Sequence, residues 1–237
     1  MKYPLSYYLN KVHSRSVFTY NRILNRIFER QQSFKLLSNN RFYIHFFTAI
    51  NDACEYLNIT LDEFAAYIDD HNRWPEELWN NVSGNVEDFN KSIVGEFGKK
   101  NICANTICSF SAKYTHDVLY SVLTELRHKN ENITLCDYGC CNANISITML
   151  VDKLVSDLTL YDIYSESANF VKFRINKYGL NDSARWCDIA NQTEDNPVFD
   201  VVYCMDVLEH TEKPSYILKS LIYPMTHLDV SGVWIKL

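Results

Sequence analysis

The sequence predicts an α/β protein, a doubly wound parallel sheet in its second half preceded by an all-helical domain. Three observations point there. After residue 130, apolar runs recur that end on acids or small polar residues: Leu135-Cys136-Asp137, Leu158-Thr159-Leu160-Tyr161-Asp162 and Val201-Val202-Tyr203-Cys204. Stretches with apolar residues at helical spacing separate them, and such alternation with short connections builds parallel sheets. Before residue 113 only the helical period is present.

The elements follow in order. Val17, Phe18, Ile23, Leu24, Ile27 and Phe28 lie at helical spacing, and Phe42, Ile44, Phe46, Phe47 and Ile50 lead into Ala53, Cys54 and Leu57 as a second helical run. Thr60-Leu61-Asp62-Glu63 has the form of a capping box, opening a helix through Phe64, Tyr67 and Ile68. Trp74-Pro75-Glu76-Glu77 opens another, with proline at the first helical position and acids in the first turn. Gly95 and Gly98 are read as breaking the next helix, and residues 99–105 as a hinge into the second half. These readings give a helical domain over 1–112 and a sheet domain over 113–237.

In the second domain, Thr115 is the expected cap of a helix over 116–129, with Val118, Leu119, Val122, Leu123 and Leu126 against the sheet. Strands are predicted at 133–138, 158–163, 184–188, 199–204 and 231–237, and helices at 143–154, 165–178 and 207–223. The sheet thus reads as C-terminally shortened, ending near its fifth strand: either the sequence is a piece of a longer chain, or a second copy, a partner chain or the N-terminal helices cover its edge.

Composition narrows the function classes. Of 237 residues, 47% are hydrophobic and 22% charged, values ordinary for a globular protein. No run of about 18 apolar residues occurs, so no membrane partner is expected, and the N-terminus lacks a signal-peptide core. The eight cysteines include no Cys-x-x-Cys pair. They read as buried small hydrophobes, and reduced thiols imply a cytoplasmic setting. Residues 1–45 carry eight basic side chains against Glu29 alone, whereas residues 50–98 carry eleven acids against Arg73 and Lys91. Arg22, Arg26 and Arg30 form one helical stripe that a nucleic acid could use. The net charge of −6 and the absence of an RNA-binding motif favour a solvated face or pairing with the acidic helices. No nucleic-acid partner is expected.

The chemistry lies in two motifs. Asp137-Tyr138-Gly139-Cys140-Cys141-Asn142-Ala143-Asn144 is a strand end that breaks at a glycine into a loop of small residues. In an open α/β sheet, a ligand sits beyond the carboxyl ends of the strands where strand order reverses. The first loop must approach it closely, so side chains there must be small. The helix that follows points free N–H groups at the site. The second motif, Phe199-Asp200-Val201-Val202-Tyr203-Cys204-Met205-Asp206-Val207-Leu208-Glu209-His210, is another strand running toward Glu-His.

Together these resemble the class I S-adenosylmethionine (SAM)-dependent methyltransferases, with their Asp-x-Gly-x-Gly-x-Gly motif and their Phe-Asp-x-Val-x-Cys-x-x-Val-Leu-Glu-His motif. The resemblance covers roughly residues 113–237. It implies a Rossmann-like fold, SAM as cofactor and methyl transfer to an oxygen or nitrogen of a small-molecule acceptor. Asp137, Gly139, Cys140, Cys141 and Asn142 then face the methionine part of SAM. Asp162, 23 residues after Gly139, with Ile163, faces the ribose; Asp188 and Ile189 face the adenine, and Cys204 lines the site from the fourth strand. Cys141 and Ala143 depart from the family by standing where glycine is usual, and His227-Leu228-Asp229-Val230-Ser231-Gly232 lacks the usual proline and paired glycines. A nicotinamide enzyme is disfavoured because Gly-x-Gly-x-x-Gly is absent.

His210, just past strand four, is the candidate general base. Asp206, Glu209 and His210 fall at i, i+3, i+4 and would share a face of the 207–223 helix. They resemble the metal-holding Glu-x-x-Glu-His of ubiquinone-biosynthesis and small-RNA methyltransferases. Aspartate replaces the first glutamate, no later histidine lies beyond His227, and no metal is expected. In this reading the aromatic-rich helices of residues 1–112 are expected to serve as a cap and substrate domain; the competing class is a catalytically inactive methyltransferase-like regulatory or partner subunit.

Overall fold

The computed structural model describes residues 41–69, 95–111, 113–191, 198–205, 207, 208, 211, 213–222 and 232–236. The predicted helix at residues 17–28, the arginine stripe and the Trp74-Pro75 helix start lie outside them. The chain divides into two compact units, residues 1–117 and 118–237.

In the first unit α1 is Arg41–Leu57, α2 Leu61–Asp69 and α3 Gly95–Ser111. Phe42, His45, Phe46, Ala49, Ile50, Ala53 and Leu57 are buried along α1, the i, i+3, i+4 stripe that the periodicity requires. The capping box is present in full. The Thr60 amide donates to Glu63 Oε2 at 2.7 Å, and the Glu63 amide donates to Thr60 Oγ1 at 3.2 Å. Phe64, one turn on, is completely buried. Gly98 does not break α3, and the expected hinge at 99–105 is helical. The reason is packing: Ile102, Cys103, Ala104 and Ile107 are buried, and that apolar burial outweighs the roughly 1 kcal/mol cost of an interior glycine.

The helix α4, Lys113–Arg127, begins two residues before Thr115, which therefore lies inside the first turn instead of capping it. Leu119 and Leu123 of α4 are buried against the sheet of the second unit. That sheet comprises β1 Thr134–Tyr138, β2 Asp157–Asp162, β3 Ala184–Asp188, β4 Val201–Met205 and β5 Gly232–Lys236. All pairings are parallel, in the order β3-β2-β1-β4-β5. Strand order reverses between β1 and β4, the Rossmann-like doubly wound arrangement. Its helices are α5 Asn144–Val151, α6 Glu166–Lys177 and α7 Pro214–Ile222.

One face of the sheet packs Leu135, Leu158 and Leu160 with Ile147 and Val171; the other packs Cys136, Tyr138, Tyr161, Val202 and Cys204 with Leu221. Thr134 and Asp200 fix the β1–β4 register. Asp200 Oδ2 accepts from the Thr134 amide at 2.8 Å and its hydroxyl at 2.9 Å. All eight cysteines are free thiols; Cys103, Cys136, Cys140 and Cys204 are buried and the rest half-buried. Among the described residues no helix is long and apolar enough to cross a membrane.

Two boundaries differ from expectation. The helix predicted over 143–154 stops at Val151, and Lys153 takes a left-handed backbone at φ 59°. The helix predicted over 207–223 begins only at Pro214. Proline suits a first helical position and disfavours helical backbone in the residue before it, so helix starts there. Val207, Thr211 and Lys213 carry no helix. Asp206, Glu209 and His210, expected to share a helical face, lie outside the described residues.

Removing the cap hydroxyl in Thr60→Ala should destabilise the protein by about 1 kcal/mol, measured by urea unfolding. Thr60→Ser should recover most of it, because serine restores the acceptor for the Glu63 amide.

Candidate functional site

The site is built by the connection that leaves β1. Gly139 turns the chain with φ +73°, and its amide and that of Cys140 both donate to the Tyr161 carbonyl of β2, at 2.8 and 3.1 Å. A Cβ at position 139 would lie 2.3 Å from Val207 Cγ2 and 2.9 Å from Cγ1. Valine is stiff at χ1 and cannot swing clear. Position 139 thus requires glycine on both backbone and steric grounds.

The next amide, of Cys141, donates to Asp162 Oδ2 at 2.5 Å, while Asp162 Oδ1 accepts from the Ile163 amide at 2.7 Å. Asp162 closes β2 and stands in register with Asp188, the last residue of β3. Asp188 Oδ1 accepts from the Ala190 amide at 3.0 Å, turning the chain through Ile189 into a short 3-10 helix. Asp137, buried at the end of β1, accepts at Oδ2 from Ser146 Oγ of α5 at 2.6 Å. One hydrogen-bonded set therefore joins Gly139, Cys140, Cys141, Asp162 and Ile163. Asn142 is buried within the same loop, and Asp188 and Ile189 adjoin through the β2–β3 register. Cys204 is buried on β4, across β1 from these acids. His210 lies outside the described residues.

Cys141 and Ala143 each have φ +48°, the left-handed region that costs a non-glycine residue about 1–2 kcal/mol. They adopt the conformation for which glycine is usual, with their side chains intact. A residue missed in the sequence touches this stretch. Arg174 of α6, with no exposed surface, donates through Nη1 to the carbonyls of Asn142 at 3.2 Å and Ala143 at 3.5 Å, and to Asn144 Oδ1 at 3.0 Å. The signal was present: Phe170, Val171, Arg174 and Ile175 share the i, i+1, i+4, i+5 stripe that α6 buries.

Burial governs the two acids nearest the loop. Burial pushes the Asp137 carboxyl up to about 7; the Ser146 hydrogen bond opposes this and the Asp162 charge adds to it. Burial likewise raises Asp162 to about 6, against the pull of the Cys141 and Ile163 amides and with a push from Asp188. Among the described residues no three His, Cys, Asp or Glu side chains are grouped to hold a metal ion.

Residues 112–223, just under half of the chain, match the family model for a methyltransferase domain. This agrees with the resemblance to class I SAM-dependent methyltransferases. A search of curated proteins finds no match. Among solved structures, magnesium protoporphyrin IX methyltransferase (ChlM) from Synechocystis PCC 6803 with bound SAM is 18% identical, with a TM-score of 0.41, covering 74% of this chain and 76% of that one. The plantazolicin methyltransferase BpumL is 19% identical with a TM-score of 0.46, covering 68% of this chain and 59% of that one. The [4+2]-cyclase SpnF is 15% identical with a TM-score of 0.39, covering 46% and 40%. The chain thus spans less than two thirds of the length of the latter two. With these scores, the grounds remain the strand order and the family match.

Two outcomes follow. Gly139→Ala should cost about 2–4 kcal/mol in thermal or urea unfolding. Adding Val207→Ala should return the steric share while leaving the left-handed backbone cost of about 1–2 kcal/mol.

The second concerns pH. Folding raises the proton affinity of Asp137 and Asp162, so between about pH 4 and 7 the folded state holds protons the unfolded chain has released. The stability of the ligand-free protein should fall as pH rises through that window and level off above it. Asp137→Asn should flatten the upper part of the slope and be more stable than wild type at pH 8. A wild-type stability that stays flat from pH 5 to 8 would contradict this.

Proposed function

We propose that the second unit binds SAM and that the chain transfers its methyl group to an oxygen or nitrogen of a small-molecule acceptor. The observation that carries this reading is the joining of two strand ends, β1 and β2, through the Cys141 amide on Asp162, on one side of the point where strand order reverses. An open α/β sheet places its ligand at that point.

The residues fit the cofactor's chemistry. The half-buried carboxylate of Asp162, backed by Ile163, suits a pair of ribose hydroxyls. Asp188 and Ile189, one strand further out, suit the adenine amino group and ring. The loop from Gly139 through Asn142 and the acid Asp137 suit the cationic amino acid end, and Cys204 lines the β4 side. Two carboxyls that burial has pushed to about 7 and 6 gain their charge most readily beside a cation. SAM supplies an activated methyl group, whose in-line transfer depends largely on positioning. His210 is assigned as the base that takes the proton from an oxygen nucleophile, and residues 1–112 are assigned to the substrate side. The two left-handed non-glycine positions also favour a second reading, a methyltransferase-like subunit without catalysis.

Calorimetric titration with SAM tests the first reading. Asp162→Ala should weaken binding about tenfold or more, the loss of a charge-assisted hydrogen bond. Asp162→Asn, which keeps one carbonyl acceptor for the Cys141 amide, should fall between. Unchanged affinity in both would remove Asp162 from the site. A ligand at 100 times its dissociation constant adds about 2.7 kcal/mol to stability, so a melting profile unmoved by millimolar SAM would favour the second reading.

A further inference from the structure

Arg174 is the one fully buried cation among the described residues, and a buried charge is costly unless its surroundings repay it. Through Nη1 it donates to acceptors 30 to 32 residues earlier, in the stretch from Asn142 to Asn144. A cation beside the start of α5 also runs against that helix's macrodipole, so helix electrostatics do not account for it. The stack of its guanidinium on Phe170, 5.7 Å from the ring centroid, holds it on the inner side of α6.

The loop is thus held from two sides. Its amides at Gly139, Cys140 and Cys141 are held by the end of β2, and its carbonyls at Asn142 and Ala143 by Arg174. The second grip falls where Cys141 and Ala143 take left-handed backbone. Glycine would adopt that conformation without a grip.

We propose that Arg174 is a positioning residue that does the work of the absent loop glycines, keeping Cys141 and Ala143 left-handed and so holding the loop in its cofactor-binding shape. The proposal rests on the reading of this loop as part of the SAM site. It separates from that reading because the loop's shape can be followed without ligand.

The experiment pairs hydrogen exchange of the ligand-free protein with calorimetric SAM binding, on wild type, Arg174→Gln, Arg174→Lys and Arg174→Gln/Ala143→Gly. In Arg174→Gln, amide exchange over residues 139–146 should accelerate about tenfold while β1 and β2 keep their protection, and SAM should bind about tenfold more weakly. Ala143→Gly in that background should recover about threefold or more of the affinity, because glycine needs no clamp. Arg174→Lys, which keeps the charge but not the fork, should lie between and serves if Arg174→Gln does not fold. Wild-type exchange and affinity in Arg174→Gln would overturn the proposal, or in Arg174→Lys where Arg174→Gln does not fold. So would failure of Ala143→Gly to recover any affinity. If wild type binds no SAM, the SAM reading falls, and loop exchange alone decides the role of Arg174.

Discussion

The carbonyl of Tyr161 and the carboxylate of Asp162 receive three successive amides of the turn that leaves β1, and the site depends on this. A parallel strand must hand its chain to a helix on one face, and the first residues of that handover have backbone donors with no ladder left to join. Here β2 extends one residue beyond the pairing and takes them. The turn is thereby fixed to the adjacent strand, and Gly139 is forced into the narrow gap beside Val207. Asp162 spends both oxygens on backbone amides, of Cys141 and of Ile163. An acid in this place is thus structural first. A ligand hydroxyl would share a carboxylate already oriented by the fold, which is the preorganisation that makes such a contact worth having.

Charge follows from the same geometry. The β2–β3 register sets Asp162 beside Asp188, whose charge raises the Asp162 carboxyl, and the Asp162 charge in turn raises that of Asp137, the penultimate residue of β1. Ser146 relieves Asp137 and backbone amides relieve Asp162, but neutral donors relieve a buried carboxylate less than a cation does. The buried cation nearby is turned the other way, onto the carbonyls of Asn142 and Ala143. Carboxyls at the strand ends and a cation on the loop carbonyls leave a polarised site. A positively charged ligand there, as in the proposed cofactor, would draw both raised carboxyls back toward their charged forms.

The sheet was legible because its signals are local. Each strand is an apolar run with a polar end, and β1 to β4 fall within two residues of the predicted boundaries. The capping box at Thr60–Glu63 was legible for the same reason, since both partners lie within one turn. What the sequence concealed was decided by distant partners. Gly98 reads as a breaker until Ile102, Cys103 and Ile107 are seen to be buried. Asp200 reads as part of a motif, yet its role is to fix β4 beside β1 through Thr134, 66 residues away. Arg174 sat on the buried stripe of α6 and could have been noticed, but its acceptors are loop carbonyls, which no residue type announces.

The late start of α7 changes how the segment after β4 is read. A helix running directly from the strand would have set Asp206, Glu209 and His210 on one face, the geometry that made a metal worth considering. Instead Leu208 is buried, and the Thr211 amide and hydroxyl both donate to its carbonyl, at 3.3 and 3.0 Å. Leu208 and Thr211 are thereby tied to each other, with the Leu208 side chain buried. A chelating trio needs three donors in fixed relation, and Asp206, Glu209 and His210 lie outside the described residues. A general base needs only one side chain held near the reacting atom. Connecting segments on a rigid scaffold commonly carry such a side chain. The proposal of His210 as base therefore does not depend on the helix on which it was first placed.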